Sequence, residues 1–427
     1  MSSEFQPVKP ISFVSFSPFM EFWRRNLYIL WGTQFLAMIG MNLVVPFLPF
    51  FVRELGVTDA NEAARWSGLV FAGPFLTAFF STPLWGKLGD TYGKKAMVIR
   101  ALVGLGLSQI LVGFSTNVYE LLFFRLLQGA ISGFIAAALA LVTTSTPKEH
   151  TGYSLGFLQS ATAGGTVLGP VVGGLLADTL GYRPIFFIVA GLCFTCAIVI
   201  LKFVREVSQP KSEQATATIF QNATLMITDK RLRIVGIAIV LSQSAALMIE
   251  PLFALFIEQF TSKTQYLSTI TGAVVSIAGV FTVISAPWWG KRNDRIGFKK
   301  NLVVALSGTG VAYALHLVVP NVYALGGLRA GLGFARGGIL HSLYSQVSLY
   351  APDSRKSGLI GIASSLAILG NFLGPVIGGM IAGTFGLSAV FIVNSCIFLF
   401  IAYLIHKFLA ETKPQHVEVK EALDVVE

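Results

Sequence analysis

Residues 85–95 read WGKLGDTYGKK, and residues 289–300 read WGKRNDRIGFKK. Trp85, Gly86, Lys87, Asp90 and Gly93 each recur 204 positions later. Working outward, RLLQG at 125–129 aligns with RAGLG at 329–333 at the same offset, and LGPVVGG at 168–174 recurs as LGPVIGG at 373–379, offset 205. Three segments that hold one offset to within a residue make the chain two copies of one unit.

The material between these segments is apolar. Of 427 residues, 54% are apolar and 12% charged, against roughly 25% charged in a soluble domain, and the mean hydropathy is +0.71. A soluble globular protein is excluded. Apolar runs near the roughly 20 residues that cross a bilayer fall at about 26–51, 67–86, 96–115, 119–142, 154–176, 184–204, 234–257, 267–288, 300–319, 322–346, 358–381 and 386–407. The expected fold is an all-α polytopic membrane protein, twelve transmembrane helices in two pseudo-symmetric six-helix bundles at 26–204 and 234–407. Segment 1–25, a central loop at 205–233 and a tail at 408–427 are expected in the cytoplasm.

That orientation comes from the basic residues. Of the 31 Lys and Arg, 24 fall on the side of the termini; only Arg53, Arg65, Arg183 and Lys263 fall opposite, and Arg125, Arg329 and Arg336 lie within spans. The positive-inside rule then places both termini in the cytoplasm. It also accounts for the net charge of +10 without a nucleic-acid partner. The opening MSSEFQPVKP lacks the features of a cleaved signal peptide, so the first run is expected to be retained. Cys193 and Cys196 form a C-x-x-C inside an apolar run, where packing is the expected role. No nucleotide-binding loop, metal-ligand cluster or hydrolase triad is legible, so an enzyme is not expected.

Four motifs carry a family resemblance. The first is Gly86-Lys-Leu-Gly-Asp90-Thr-Tyr-Gly93-Lys94-Lys95, repeated with Gly290, Asp294 and Gly297 but with Arg292 and Asn293 where the first copy has Leu88 and Gly89. The second runs Arg125, Gln128, Gly129, Gly133 on the fourth span. The third is Gly156-x8-Gly165-x3-Gly169-Pro170-x2-Gly173-Gly174 on the fifth, and the last Gly40-x5-Pro46-x2-Pro49 on the first. Together with the repeat they resemble the major facilitator superfamily, and within it the twelve-helix drug:proton antiporters. The resemblance implies a membrane exporter, in the bacterial inner membrane, with no cofactor and a proton gradient as its energy source. Its partners would be a small-molecule substrate, protons and the lipid bilayer, and its state a monomer. It also implies that Gly86, Asp90, Gly93, Lys94 and Arg100, with Gly290, Asp294 and Gly297, form conformational latches, Asp90 capping a helix N-terminus or pairing with Arg100. Arg125 would take part in proton transfer.

The residues themselves suggest where coupling occurs. A proton antiporter needs a protonatable carboxyl at mid-depth. The first span offers none past its entry, Asn42 being its main polar residue, whereas Glu250 lies far from any predicted span end, just before Pro251. Pro251 aligns with Pro46, so Glu250 is expected at a helix break, either carrying the proton or facing substrate, with an ion pair to an arginine as the alternative. Arg336 lies seven residues after Arg329, on nearly the same face of the tenth span. Asn42, Gln128, Glu250, Arg329 and Arg336 are the substrate-cavity candidates, and Arg125, Arg329 and Arg336 against Glu250 would leave the cavity positive, which favours neutral, zwitterionic or anionic substrates over dications. His341, about 120° around the helix from Arg329, ranks low. Phe71, Phe75, Phe79 and Phe80 read as lipid-facing or packing residues. The rival functions are a carrier of one metabolite, sugar, siderophore or lipid, and a non-transporting receptor or scaffold.

Overall fold

The computed structural model describes residues 18–206, 218–260 and 266–409. Among them, eleven stretches are long and apolar enough to cross a membrane. These are Phe22–Glu54 (span 1), Ala60–Tyr92 (span 2), Lys94–Phe114 (span 3), Val118–Ser145 (span 4), Lys148–Leu180 (span 5), Tyr182–Phe203 (span 6), Lys230–Glu258 (span 7), Leu267–Ile296 (span 8), Phe298–Val318 (span 9), Asp353–Phe385 (span 11) and Leu387–Phe408 (span 12). Span 10 comprises Val322–Arg336 and Ile339–Tyr350, and is less apolar because it is rich in glycine and holds Arg329 and Arg336. The predicted spans are all present, several of them longer than the apolar runs because the helices extend beyond them into polar caps.

The repeat is written in local chemistry. Asn117 and Asn321, offset 204, each accept a bond from the backbone N–H three residues on and so start spans 4 and 10. Gly93 and Gly297 sit at φ 95° and 90°, a conformation that a Cβ would strain, and so turn span 2 into 3 and span 8 into 9. Proline interrupts spans 1 and 7 with 3-10 turns at Val45–Phe47 and Glu250–Leu252. Spans 4 and 10 break at residues 132–133 and 337–338. The central segment is not all loop: Thr218 and Gln221 form a capping box that starts a helix at Ile219–Thr228, packed on spans 7 and 11, and span 7 itself starts at Lys230. Residues 207–217 of that segment lie outside the described residues, as does most of both tails.

Span 2 packs on span 11, and span 5 on span 8, across the two halves. Small residues allow it: a Cβ on Gly68 would overlap Pro375 O, and one on Gly174 would overlap Ser268 O. These contacts lie on the side away from the termini. On the terminus side, Phe134–Ser145 and Ile339–Tyr350 pack against spans of their own half, and a Cβ on Gly156 or on its repeat partner Gly361 would meet nothing within 4 Å. The buried apolar residues divide accordingly. One cluster, including Trp23, Val98, Phe134 and Ile200, fills the terminus side of the first half; the other joins the far side of both halves and continues through the second half. The molecule is clasped on the far side and parted on the side of the termini.

Candidate transport site and gates

Glu250 opens the 3-10 turn of span 7. Its carboxylate pairs with two arginines of span 10, Arg329 at 3.5 Å and Arg336 at 3.4 Å. Arg329 is 0% exposed, with its guanidinium 4.0 Å from the Phe253 ring centroid. Burial of this degree leaves it no contact with a substrate in this conformation, which corrects its place among the cavity candidates; it acts as counter-charge to Glu250. Arg336, the last residue of its helix segment, keeps its side chain 25% exposed, at a helix end that favours a cation. It lines a cavity of about 210 Å³ with Ser242, Gln243, Thr282, His341 and Phe398. His341 reaches this cavity because the turn at 337–338 resets the helical phase on which its low rank depended. Two arginines against one carboxylate leave the group positive.

The first half holds no such acid. Arg125 is buried and donates from Nε to Val70 O at 3.3 Å and from Nη1 to Gln128 Oε1 at 3.0 Å. Arg125 thereby fastens span 4 to span 2, and Gln128 holds its guanidinium from within span 4. Asn42 spends its amide on Met38 O in its own helix, at 2.8 Å, and packs over Gly169. Gly165, Gly169 and Gly173 of the third motif seat span 5 on span 1, and Gly174 seats it on span 8 under Pro170, whose own carbonyl meets Gly272. Gly156 faces open space.

The latches depart from expectation. Glu206 caps the N-terminus of span 3, accepting from Lys94 N–H at 2.6 Å and Lys95 N–H at 3.1 Å. Asp90 instead pairs with Lys94 Nζ at 3.5 Å. Arg100 is not its partner: it lies 3.6 Å over the Trp85 ring and donates to Ile131 O and Ser132 O, carbonyls freed by the break in span 4. Gly86, Asp90, Lys94 and Arg100 line one groove of about 210 Å³. In the second copy Arg292 donates to Asn301, Asn301 to Asn293, and Asn293 to Ser342 of span 10. Gly290 and Asp294 line the small cavity beside this chain of bonds, and Gly297 supplies the turn.

The far side carries links between the halves that the sequence reading missed. Arg53 of span 1 pairs with Glu258 of span 7 at 2.9 Å. Arg65 donates to Gly383 O at 3.0 Å, joining spans 2 and 11. Asp178, at the end of span 5, accepts from Ser268 and Thr269 N–H at the start of span 8. All three links cross between the halves. Arg183 ties Glu54 to the carbonyls of Gly113 and Ser115. The three far-side arginines therefore hold this face together; Lys263 lies outside the described residues. One signal was available: Arg53 and Glu258 are repeat partners of opposite charge, offset 205. Elsewhere Cys193 and Cys196 are buried in packing and Phe80 is exposed on the helix surface, as expected.

Two six-helix halves related by a repeat, with broken helices and a charged group held between two spans of the second half, define a secondary-transporter architecture. The sequence profile of the Major Facilitator Superfamily matches residues 30–270 and 234–425. The chain belongs to that superfamily and is a membrane transport protein, not an enzyme. It is 34% identical to the multidrug resistance protein MdtG of Proteus mirabilis over 394 residues, 92% of this chain and 97% of that one. The MdtG protein of a Rahnella species is also 34% identical, over 88% of this chain and 92% of its own. Among solved structures, a bacterial homologue of the human lysosomal transporter Spinster, inward-facing and occupied, superposes with a TM-score of 0.75 at 15% identity, over 90% of this chain and 96% of that chain. The nucleoside transporter NupG superposes at 0.74 and 12% identity, over 90% of this chain and 100% of its own.

Proposed function

We propose that the protein is a proton-coupled antiporter that exports drug-like amphipathic molecules by alternating access. It works as a monomer in a bacterial inner membrane, with both termini cytoplasmic and no bound cofactor. The observation that carries the reading is Glu250, a carboxylate inside a spanning helix, tied to Arg329 and Arg336 of the facing span beside a cavity. A proton on Glu250 removes the attraction that holds spans 7 and 10 together and leaves Arg329 buried beside a neutral partner, a state that favours rearrangement of the pair. Substrate enters from the open terminus side and leaves once the Arg53–Glu258 gate has parted. The relatives that bear the name multidrug resistance protein support export of several compounds. The positive charge of the group favours neutral, zwitterionic or anionic ones.

The test uses inverted vesicles with an acid interior, a pH-sensitive dye and a panel of cationic, neutral and anionic antimicrobials. Proton release by several unrelated compounds, lost in Glu250→Gln, is expected. Silence across the panel with folded protein present overturns the broad drug reading in favour of a single-metabolite carrier.

A further inference from the structure

The second copy of the first motif differs from the first where it faces outward. Phe281, Ile284 and Trp288 of span 8 are 38%, 63% and 44% exposed. With Lys291 and Arg295 they fall within about 80° of one another around the helix. Along roughly 21 Å of rise this face passes from apolar side chains to an indole and then to cations, and it ends on the terminus side. A groove of about 420 Å³ lies at that end, lined by Trp288, Lys291, Arg292, Arg295 and Ile296, with no acidic side chain among them. Asp294 of the same motif lines the neighbouring cavity instead. At the equivalent positions the first copy has Leu84, Lys87, Leu88, Thr91 and Tyr92, a single cation. Arg292 lies 5.1 Å from the Trp288 ring centroid and bonds Asn301, so the groove is joined to the bonds that reach Ser342 of span 10.

We propose that this groove binds the headgroup of one anionic phospholipid from the leaflet on the terminus side. The order of the face matches such a molecule from acyl chain to phosphate: Phe281 and Ile284 meet the chains, Trp288 lies at the level of the glycerol, and Lys291 and Arg295 hold the phosphate. Two cations beyond the single lysine of the first copy make the site specific to the second half. Through Arg292 and Asn301 the lipid steadies the 8–9 turn against span 10.

Thermal unfolding of the purified full-length protein in detergent, titrated with dioleoylphosphatidylglycerol, dioleoylphosphatidylcholine or glycerol 3-phosphate, tests this. Phosphatidylglycerol is expected to raise the Tm, phosphatidylcholine and glycerol 3-phosphate not. Lys291→Gln combined with Arg295→Thr, which leaves the Arg292–Asn301 bond intact, is expected to weaken the phosphatidylglycerol response about tenfold or more in apparent affinity. Lys87→Gln in the first copy is expected to leave the response unchanged. If the double variant does not fold, Arg295→Thr alone is read by native mass spectrometry as loss of one retained phosphatidylglycerol. An equal response to both lipids, a response to glycerol 3-phosphate as large as to lipid, or an undiminished response in the folded variants overturns the proposal.

Discussion

Span 4 and span 10 break at equivalent places and do different chemistry there. Around both breaks the scaffold is the same: Trp85 Nε1 donates to Ala130 O and Trp289 Nε1 to Phe334 O, each at 2.7 Å, and Gly129 and Gly333 each lie against a carbonyl of the neighbouring span. The arginines differ. Arg125 and Arg100 of the first half satisfy themselves on carbonyls and Gln128, whereas Arg329 and Arg336 share a carboxylate. Symmetry builds the scaffold, and the second half alone sets an acid, Glu250 of span 7, against these arginines.

The largest effect tests the shared scaffold. Gly129→Val and Gly333→Val each push a side chain into a facing carbonyl, and each is expected to destabilise by about 3 kcal/mol, read as loss of monodisperse protein on size-exclusion chromatography. A loss in only one would break the symmetry of the scaffold. Next is the chemistry. Glu250→Gln is expected to lower substrate-driven proton release at least about tenfold, Arg125→Met by less than about threefold, because only the former leaves a buried guanidinium without its counter-charge. Equal losses would show that both halves carry the proton. Smaller still is the far-side gate, whose partners are partly exposed and so contribute at most about 1 kcal/mol. Arg53→Glu is expected to shift cysteine labelling from the far side severalfold, and the double exchange with Glu258→Arg to restore it. Smallest is His341→Asn, expected to change KM about twofold to threefold with kcat held, as for a residue that lines the cavity without carrying the proton.

The spans, the repeat and the positions of Pro46 and Pro251 were legible because apolar run length and glycine spacing are local properties. Glu250 stood out for the same reason, as an acid far from any span end. What escaped were pairings that need a third dimension. Asp90 and Arg100 are only ten residues apart in the chain, yet the break in span 4 offers Arg100 bare carbonyls and Glu206 takes the helix N-terminus. Arg329 and Arg336 share a face in an ideal helix, but their depths differ, the first buried and the second open to the cavity. His341 shows why a helical wheel fails past a turn.

The Arg53–Glu258 pair joins positions that the repeat makes equivalent. Residues so placed lie close to the pseudo-twofold axis and face each other, as equivalent residues do across a symmetric dimer interface. Identical residues at these two positions, two arginines or two glutamates, would repel each other and hold the far side open. Reversing one sign after duplication turns that repulsion into a clasp. It also makes the contact selective for the two unlike halves, since two copies of either one would set like charges against each other here.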